Sequence, residues 1–179
     1  MIGLSRQRAA LLVVDLQDRL APAMPAPVLE HVVRNTSILI EAAKRLGLPI
    51  IVSQQYPKGL GQTIEPIAKL LPDGAHRLDK VDFSAASHVP LLAGRDQWIV
   101  TGMETHICVY QTARGLADRG WQPHVAIDAC CSRTKLNWEI GRELMTRAGA
   151  VVTSTETVVF DLLGCAGTED FKALSRSIK

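Results

Sequence analysis

The sequence predicts a three-layer α/β/α sandwich around a mostly parallel six-stranded sheet. Two observations carry that expectation. Apolar runs of strand length recur along the chain, with Gly and Pro marking many of the junctions. Between them lie stretches whose apolar residues repeat at three and four, the spacing of an amphipathic helix. Strands that alternate with helices pair in parallel through right-handed crossovers. The expected strand order is 3-2-1-4-5-6, which places a reversal between strands one and four. The 179 residues suit one domain, residues 1–179, with a sizeable core. No internal repeat, low-complexity segment or linker divides them.

Taken in order, residues 10–15 (ALLVVD) read as a buried strand ending in an acid. A proline-containing loop, residues 16–27, leads to a helix over 28–46, stopped by Gly47. Residues 49–53 form strand two, and the following QQYPKGLGQT is too rich in Gly and Pro to be regular. A short helix is expected over 64–71, a weak third strand over 75–81, and another short helix within 83–93. Strand four is 97–101, followed by a helix that Gly120 ends and that Thr105 is placed to cap. Strand five is 123–128, a helix covers 135–148, and strand six is 150–154. The tail is expected to be helical around 158–163 and 171–175.

Composition excludes several classes. Aromatic residues make up 4% of the chain, so no stacking platform for single-stranded nucleic acid is evident. The formal charge of +2 is small and scattered, unlike a nucleic-acid footprint. The apolar run from Ala9 to Val14 is too short to span a membrane and ends in Asp15, so neither anchor nor signal peptide is expected. Four cysteines include one adjacent pair, Cys130–Cys131, and no Cys-x-x-Cys, which favours a reduced, cytoplasmic setting and no metal or cofactor.

Ligands in such folds bind beyond the carboxyl ends of the strands, at the reversal in strand order. Asp15 ends strand one there. Cys108 lies three residues past Thr105, in the first turn of the helix after strand four. Unpaired N–H groups and the helix dipole would stabilise its thiolate at that place. The plain alternative is a small buried core thiol. Beside it, Asp15 can serve as a general base rather than as a turn cap. Lys80, closing strand three, would otherwise be a solvated charge; near the other two it favours their ionised forms. Strand three lies at the sheet edge, so the 79–84 loop must fold inward for Lys80 to arrive.

These residues sit in stretches that resemble the isochorismatase-like cysteine hydrolase family along nearly the whole chain: LLVVDLQ around Asp15, LDKVDFSA around Lys80, VTGMETHICVYQTA around Cys108, DACCSR, and GAVVTSTETVVFDLL. QQYPKGLG looks most like the isochorismatase domain-containing subgroup. The resemblance implies an Asp15–Lys80–Cys108 triad and a cis peptide at Met103–Glu104. It implies an oxyanion hole from the Glu104 and Cys108 N–H groups, and thioester chemistry on a small amide or carbamoyl compound. It also implies a homo-oligomer. The Asp-x-His metal motif of family nicotinamidases is absent between Ser53 and Lys58, so metal-dependent nicotinamide hydrolysis is not expected.

Gln55, Tyr56 and His106 are candidate substrate contacts. His106 is two residues from Cys108, so the two side chains leave a helix on different faces and a papain-like pair is disfavoured. Arg133 in DACCSR either binds a carboxylate or stabilises its turn. Three rival functions are weaker. A haloacid-dehalogenase-type phosphatase needs Asp at position 17, which is Gln. A dinucleotide-binding protein needs Gly-x-Gly-x-x-Gly after strand one. A non-catalytic binding or assembly module would not need all three triad residues. A depressed Cys108 pKa is expected for a catalyst, and an inert thiol for a module.

Overall fold

The protein was analysed as a computed structural model that describes residues 3–178; the first two residues and the last of the predicted 1–179 span lie outside it. Six strands form one parallel sheet: β1 (Ala9–Val14), β2 (Ile50–Gln55), β3 (His76–Lys80), β4 (Gln97–Met103), β5 (Gln122–Cys131) and β6 (Val151–Thr153). Their order is β3-β2-β1-β4-β5-β6, as the sequence predicts. All six residues of β1 are buried because both faces of the sheet are covered. Ala9, Leu11 and Val13 face one apolar cluster, and Ala10, Leu12 and Val14 face the other.

The first cluster lies under α1 (Ala26–Leu46), whose buried Val32, Leu39, Ile40 and Ala43 fall at helical spacing. Gly47 ends this helix in the left-handed conformation (φ 70°), which lets Leu48 N–H reach back to the Ala43 carbonyl at 2.8 Å. Two one-turn helices follow β2: α2 (Pro57–Leu60), inside the stretch expected to be irregular, and α3 (Glu65–Ala68). The opposite face is covered by α4 (Tyr110–Asp118), α5 (Lys135–Arg147) and the 85–89 segment. The last helices, α6 (Thr155–Leu163) and α7 (Glu169–Ile178), pack on α1 through Ile38, Ala42, Val159 and Leu174. Among the described residues no helix is long and apolar enough to cross a membrane.

Three expectations are corrected. The short helix placed within 83–93 is a set of turns, with only His88 and Val89 N–H bonding back to the Ala85 carbonyl. Pro90 lacks an N–H and disfavours helical geometry in the residue before it, so the turn cannot propagate. Thr105 is not a cap. Glu104 holds the cap position of a π-helical turn, Thr105–Val109, that precedes α4, and the buried Thr105 hydroxyl has no hydrogen-bond partner. Finally, β5 runs three residues beyond Asp128. Its pairing with β4 jumps from Val100↔Val125 to Gly102↔Cys130, so four residues of β5 bulge opposite Thr101.

That bulge is bonded throughout. Thr101 Oγ1 donates to the Ala129 carbonyl at 2.5 Å, and its oxygen also lies 2.9 Å from Thr36 Oγ1 of α1. Asp128 accepts from Asn35 Nδ2 at 3.2 Å and from the Thr155 N–H at 2.7 Å, tying α1 to the start of α6. The bulge re-aims residues 130–133 across the end of β4, the carboxyl edge where the site lies.

Gly102 allows the central strands to approach. Its φ is 130°, and a Cβ placed there would lie 1.9 Å from the Val14 carbonyl oxygen. Gly102→Ala is expected to cost at least about 3 kcal/mol, measured as a fall in denaturation midpoint. A variant within 1 kcal/mol of the parent, an approximate threshold for surface-like substitutions, would contradict this packing.

Candidate active site

Asp15 immediately follows β1. Its φ of 51° turns the side chain out of the strand direction, a conformation Asp tolerates better than most residues. The carboxylate is buried and ionically paired: Lys80 Nζ lies 2.7 Å from Oδ2. The other oxygen accepts from Ser53 Oγ at 2.7 Å. Ser53 is the polar residue at the end of an otherwise apolar run in β2, paired beside Val14. That lone serine was a signal available in the sequence, and sequence reasoning missed it.

Lys80 is the last residue of the edge strand β3, and its side chain reaches back across β2. The ammonium donates to Gln55 Oε1 at 2.8 Å and to the carbonyls of Asp82 and Phe83 at 3.1 and 3.2 Å. The chain after β3 therefore folds inward, as the arrival of Lys80 required. Every donor of a buried Lys is then used, which is what makes a buried cation tolerable.

Gln55 spends its amide on this cradle. Its oxygen accepts a hydrogen bond from Lys80 and its nitrogen donates to the Val81 carbonyl at 2.7 Å. The candidate substrate contact thus stands behind Lys80, as a support. Gln17, at the position where a phosphatase would need Asp, donates to the Gln55 and Gly61 carbonyls and accepts the Gln55 N–H at 2.7 Å. Tyr56 is half exposed and lines a cavity of about 430 Å³ together with Lys58, Lys80, Val81 and His88. A larger groove, about 600 Å³, runs along the outer side of α5 by Leu136 and Ile140 and touches none of the three triad residues.

Cys108 lies in the π-helical turn, 6% exposed. The thiol is pushed up to about 12, first by burial, then by the negative charge of Asp15; Lys80 pulls the other way. The resting sulfur is therefore a protonated thiol, and the expectation of a dipole-stabilised thiolate is corrected. Desolvation outweighs the positive helix end because the thiol is nearly closed off from water. Asp15 is the charged group with the largest effect on the thiol, which suits it to the role of general base.

The peptide Met103–Glu104 is cis. Glu104 lies outside helix and strand, and among the described residues its N–H makes no backbone hydrogen bond. Its carboxylate is turned inward and accepts from both the backbone N–H and Nε of Arg133, at 3.1 and 3.0 Å. Arg133 thus binds a carboxylate, one of the chain's own. His106 Nδ1 lies 3.0 Å from Ser132 Oγ, so the imidazole is engaged by the DACCSR turn and not by the thiol. Among the described residues no group of three or more His, Cys, Asp or Glu side chains could hold a metal ion.

The isochorismatase domain family matches residues 9–157 of this chain. A secreted isochorismatase effector of Phytophthora sojae is 36% identical over 159 residues, covering 84% of this chain and 76% of the relative. Isochorismatase domain-containing protein 2A of Mus musculus is 30% identical over 180 residues, 97% of this chain and 84% of the relative. The chain spans 63% of the length of isochorismatase domain-containing protein 1 of Danio rerio, with 31% identity. Among solved structures, the MAR1 ribonuclease of Caenorhabditis elegans superposes with a TM-score of 0.90 at 31% identity, over 98% of this chain and 92% of that one. The chain belongs to the isochorismatase family and has the fold and hydrolase lineage of that group.

Two outcomes are expected. Cys108 should alkylate more slowly than free cysteine at pH 8, with a rate still climbing at pH 10, because the thiol pKa stands above its ordinary value; a plateau near pH 8 would contradict that. Lys80→Met should destabilise the fold by about 3–5 kcal/mol, with much of that restored in Asp15→Asn/Lys80→Met, as read by denaturant titration.

Proposed function

We propose that the protein is a cysteine-dependent hydrolase that cleaves the C–N bond of a small amide or carbamoyl compound through a thioester. The observation that carries this reading is the buried Asp15–Lys80 pair, 2.7 Å long, whose two charges both act on the Cys108 thiol. Asp15 takes the Cys108 proton as the sulfur attacks the carbonyl carbon. The C=O electrons move to oxygen, and the Glu104 and Cys108 N–H groups hold that oxyanion. Collapse expels the amine, which takes the proton from Asp15 as it leaves. Water then attacks the thioester, Asp15 accepts its proton, and the second tetrahedral intermediate releases a carboxylic acid and the thiol. Lys80 holds the Asp15 carboxylate in place and compensates the burial of its charge. In this reading Tyr56 and His106 contact the substrate at the rim and Gln55 acts through Lys80.

The expectation for a catalyst is a depressed Cys108 pKa, and the raised thiol departs from that; the hydrolase reading takes attack and proton transfer to Asp15 as coupled, so that no resting thiolate is needed. The reading includes a homo-oligomer, supported by the exposed apolar Val81 and Phe83 beside the Lys80 cradle. A ribonuclease reading rests only on the names of solved relatives, the C. elegans protein and two from Leishmania, and the test includes it.

A panel of primary amides, carbamoyl compounds and single-stranded RNA should yield amide turnover in the wild type. Cys108→Ala should lower that turnover at least about 10³-fold, and rapid quench of the wild type should give Cys108 carrying the acyl mass. Undiminished turnover in Cys108→Ala, or RNA cleavage with no amide turnover, would overturn the proposal.

A further inference from the structure

Glu104 is the unexplained charge at this site. A carboxylate placed four residues before a nucleophilic sulfur opposes formation of a thiolate, and its side chain is only 5% exposed. An aliphatic residue would supply the same backbone N–H without that cost. The carboxylate must therefore be answered by something, and the answer comes from the far side of the β5 bulge. Arg133 gives it two hydrogen bonds, one from the backbone and one from Nε, both to Oε2. The next residue back, Ser132, is buried and lies 3.0 Å from His106 Nδ1. Two successive residues of the turn thus hold residues 104 and 106, on either side of the first residue of the π-helical turn. Gly141 of α5 closes the same segment from behind, since a Cβ there would lie 2.8 Å from His106 N and from the Thr105 carbonyl carbon.

We propose that the Glu104–Arg133 pair is a positioning device for the reaction: it fixes the backbone at residue 104 and, through its charge balance, sets how readily Cys108 gives up its proton. The inference rests on the cysteine-hydrolase reading above and goes beyond it, because the side chains of Glu104 and Arg133 have no part in the bond-making steps. The charged groups acting on the thiol are Asp15, Lys80 and Glu104. Arg133 acts through Glu104. Its guanidinium is half exposed, so it cancels part of the carboxylate's field while remaining hydrated.

The signs follow directly. Glu104→Gln keeps an oxygen to accept from Arg133 but removes the negative charge, so the thiolate becomes easier to form. Arg133→Met keeps the length of the side chain but leaves the carboxylate uncompensated, so the thiolate becomes harder to form. The double variant removes both and returns near the start. A purely structural role for the pair predicts another pattern, in which every variant loses stability and none gains reactivity.

The test is iodoacetamide alkylation at pH 8.5, read by mass on the Cys108 peptide so that exposed Cys165 does not contribute. Cys108→Ala is the blank. One unit of thiol pKa changes the thiolate population tenfold but the observed rate about threefold, because nucleophilicity moves oppositely. Glu104→Gln is expected to alkylate about threefold faster than the parent, Arg133→Met about threefold slower, and the double variant within about twofold of it. In amide turnover, Glu104→Ala, which cannot hold Arg133, is expected to lose about tenfold or more in kcat with KM changed less than about twofold. Arg133→Lys is expected to recover part of the alkylation rate lost in Arg133→Met. If Arg133→Met does not fold, Glu104→Gln and the double variant decide the matter alone. Equal alkylation rates in parent, Glu104→Gln and the double variant would overturn the inference while leaving the cysteine-hydrolase reading intact. Failure of wild-type Cys108 to turn over any amide would instead strike at that reading.

Discussion

The buried ion pair between Asp15 and Lys80 is the constraint from which the rest of the site follows. Two opposite charges removed from water are tolerable only when their remaining bonding capacity is filled. The surrounding chain does this in detail: Ser53 serves one Asp15 oxygen, and Gln55 with the carbonyls of Asp82 and Phe83 serves the ammonium. Asp15 follows β1, Lys80 ends β3, and their partners come from β2 and the turn beyond β3, so the pair locks the carboxyl edge of half the sheet. Gln17 extends the lock by joining Gln55 to Gly61. The absence of regular structure between Val81 and Val89 is part of the same arrangement, because a helix there could not turn two carbonyls back onto Lys80.

Beside this pair the thiol sits in a place with competing influences. A helix beginning favours an anion, and so does Lys80. Burial and the Asp15 and Glu104 carboxylates oppose it, and they win. A stored thiolate would be exposed to side reactions; a buried thiol that gives its proton to a neighbouring base only as substrate arrives is a quieter arrangement. The Cys130 and Cys131 thiols are also raised first by burial, which is consistent with packing roles in the bulged end of β5.

Asp15, Lys80 and Cys108 were all found in the sequence, for different reasons. Asp15 interrupts an apolar run at the end of a buried strand, and Cys108 follows the next strand in spatial order. Those two are legible from periodicity and the rule for ligand positions in parallel sheets. Lys80 was legible only through resemblance, since nothing local distinguishes it from a solvated lysine. Gln55 was singled out for the wrong partner. A polar side chain next to an irregular segment looks available, and only the coordinates show its amide taken up by Lys80 and Val81.

Alternation of apolar runs with amphipathic stretches determined the layers and the parallel sheet, because those depend on patterns repeated over many residues; the 3-2-1-4-5-6 order is expected from the fold class and is the order found. The π-helical turn at Cys108, the bulge opposite Thr101 and the Glu104–Arg133 contact were decided by tertiary structure. Each depends on a single close approach between distant segments, such as Gly102 against Val14 or Gly141 against His106. The protonation of Cys108 belongs with them. Sequence position supplied the helix end that favours an anion, but the desolvation that overrides it exists only once the apolar cluster on that face of the sheet has packed around the sulfur.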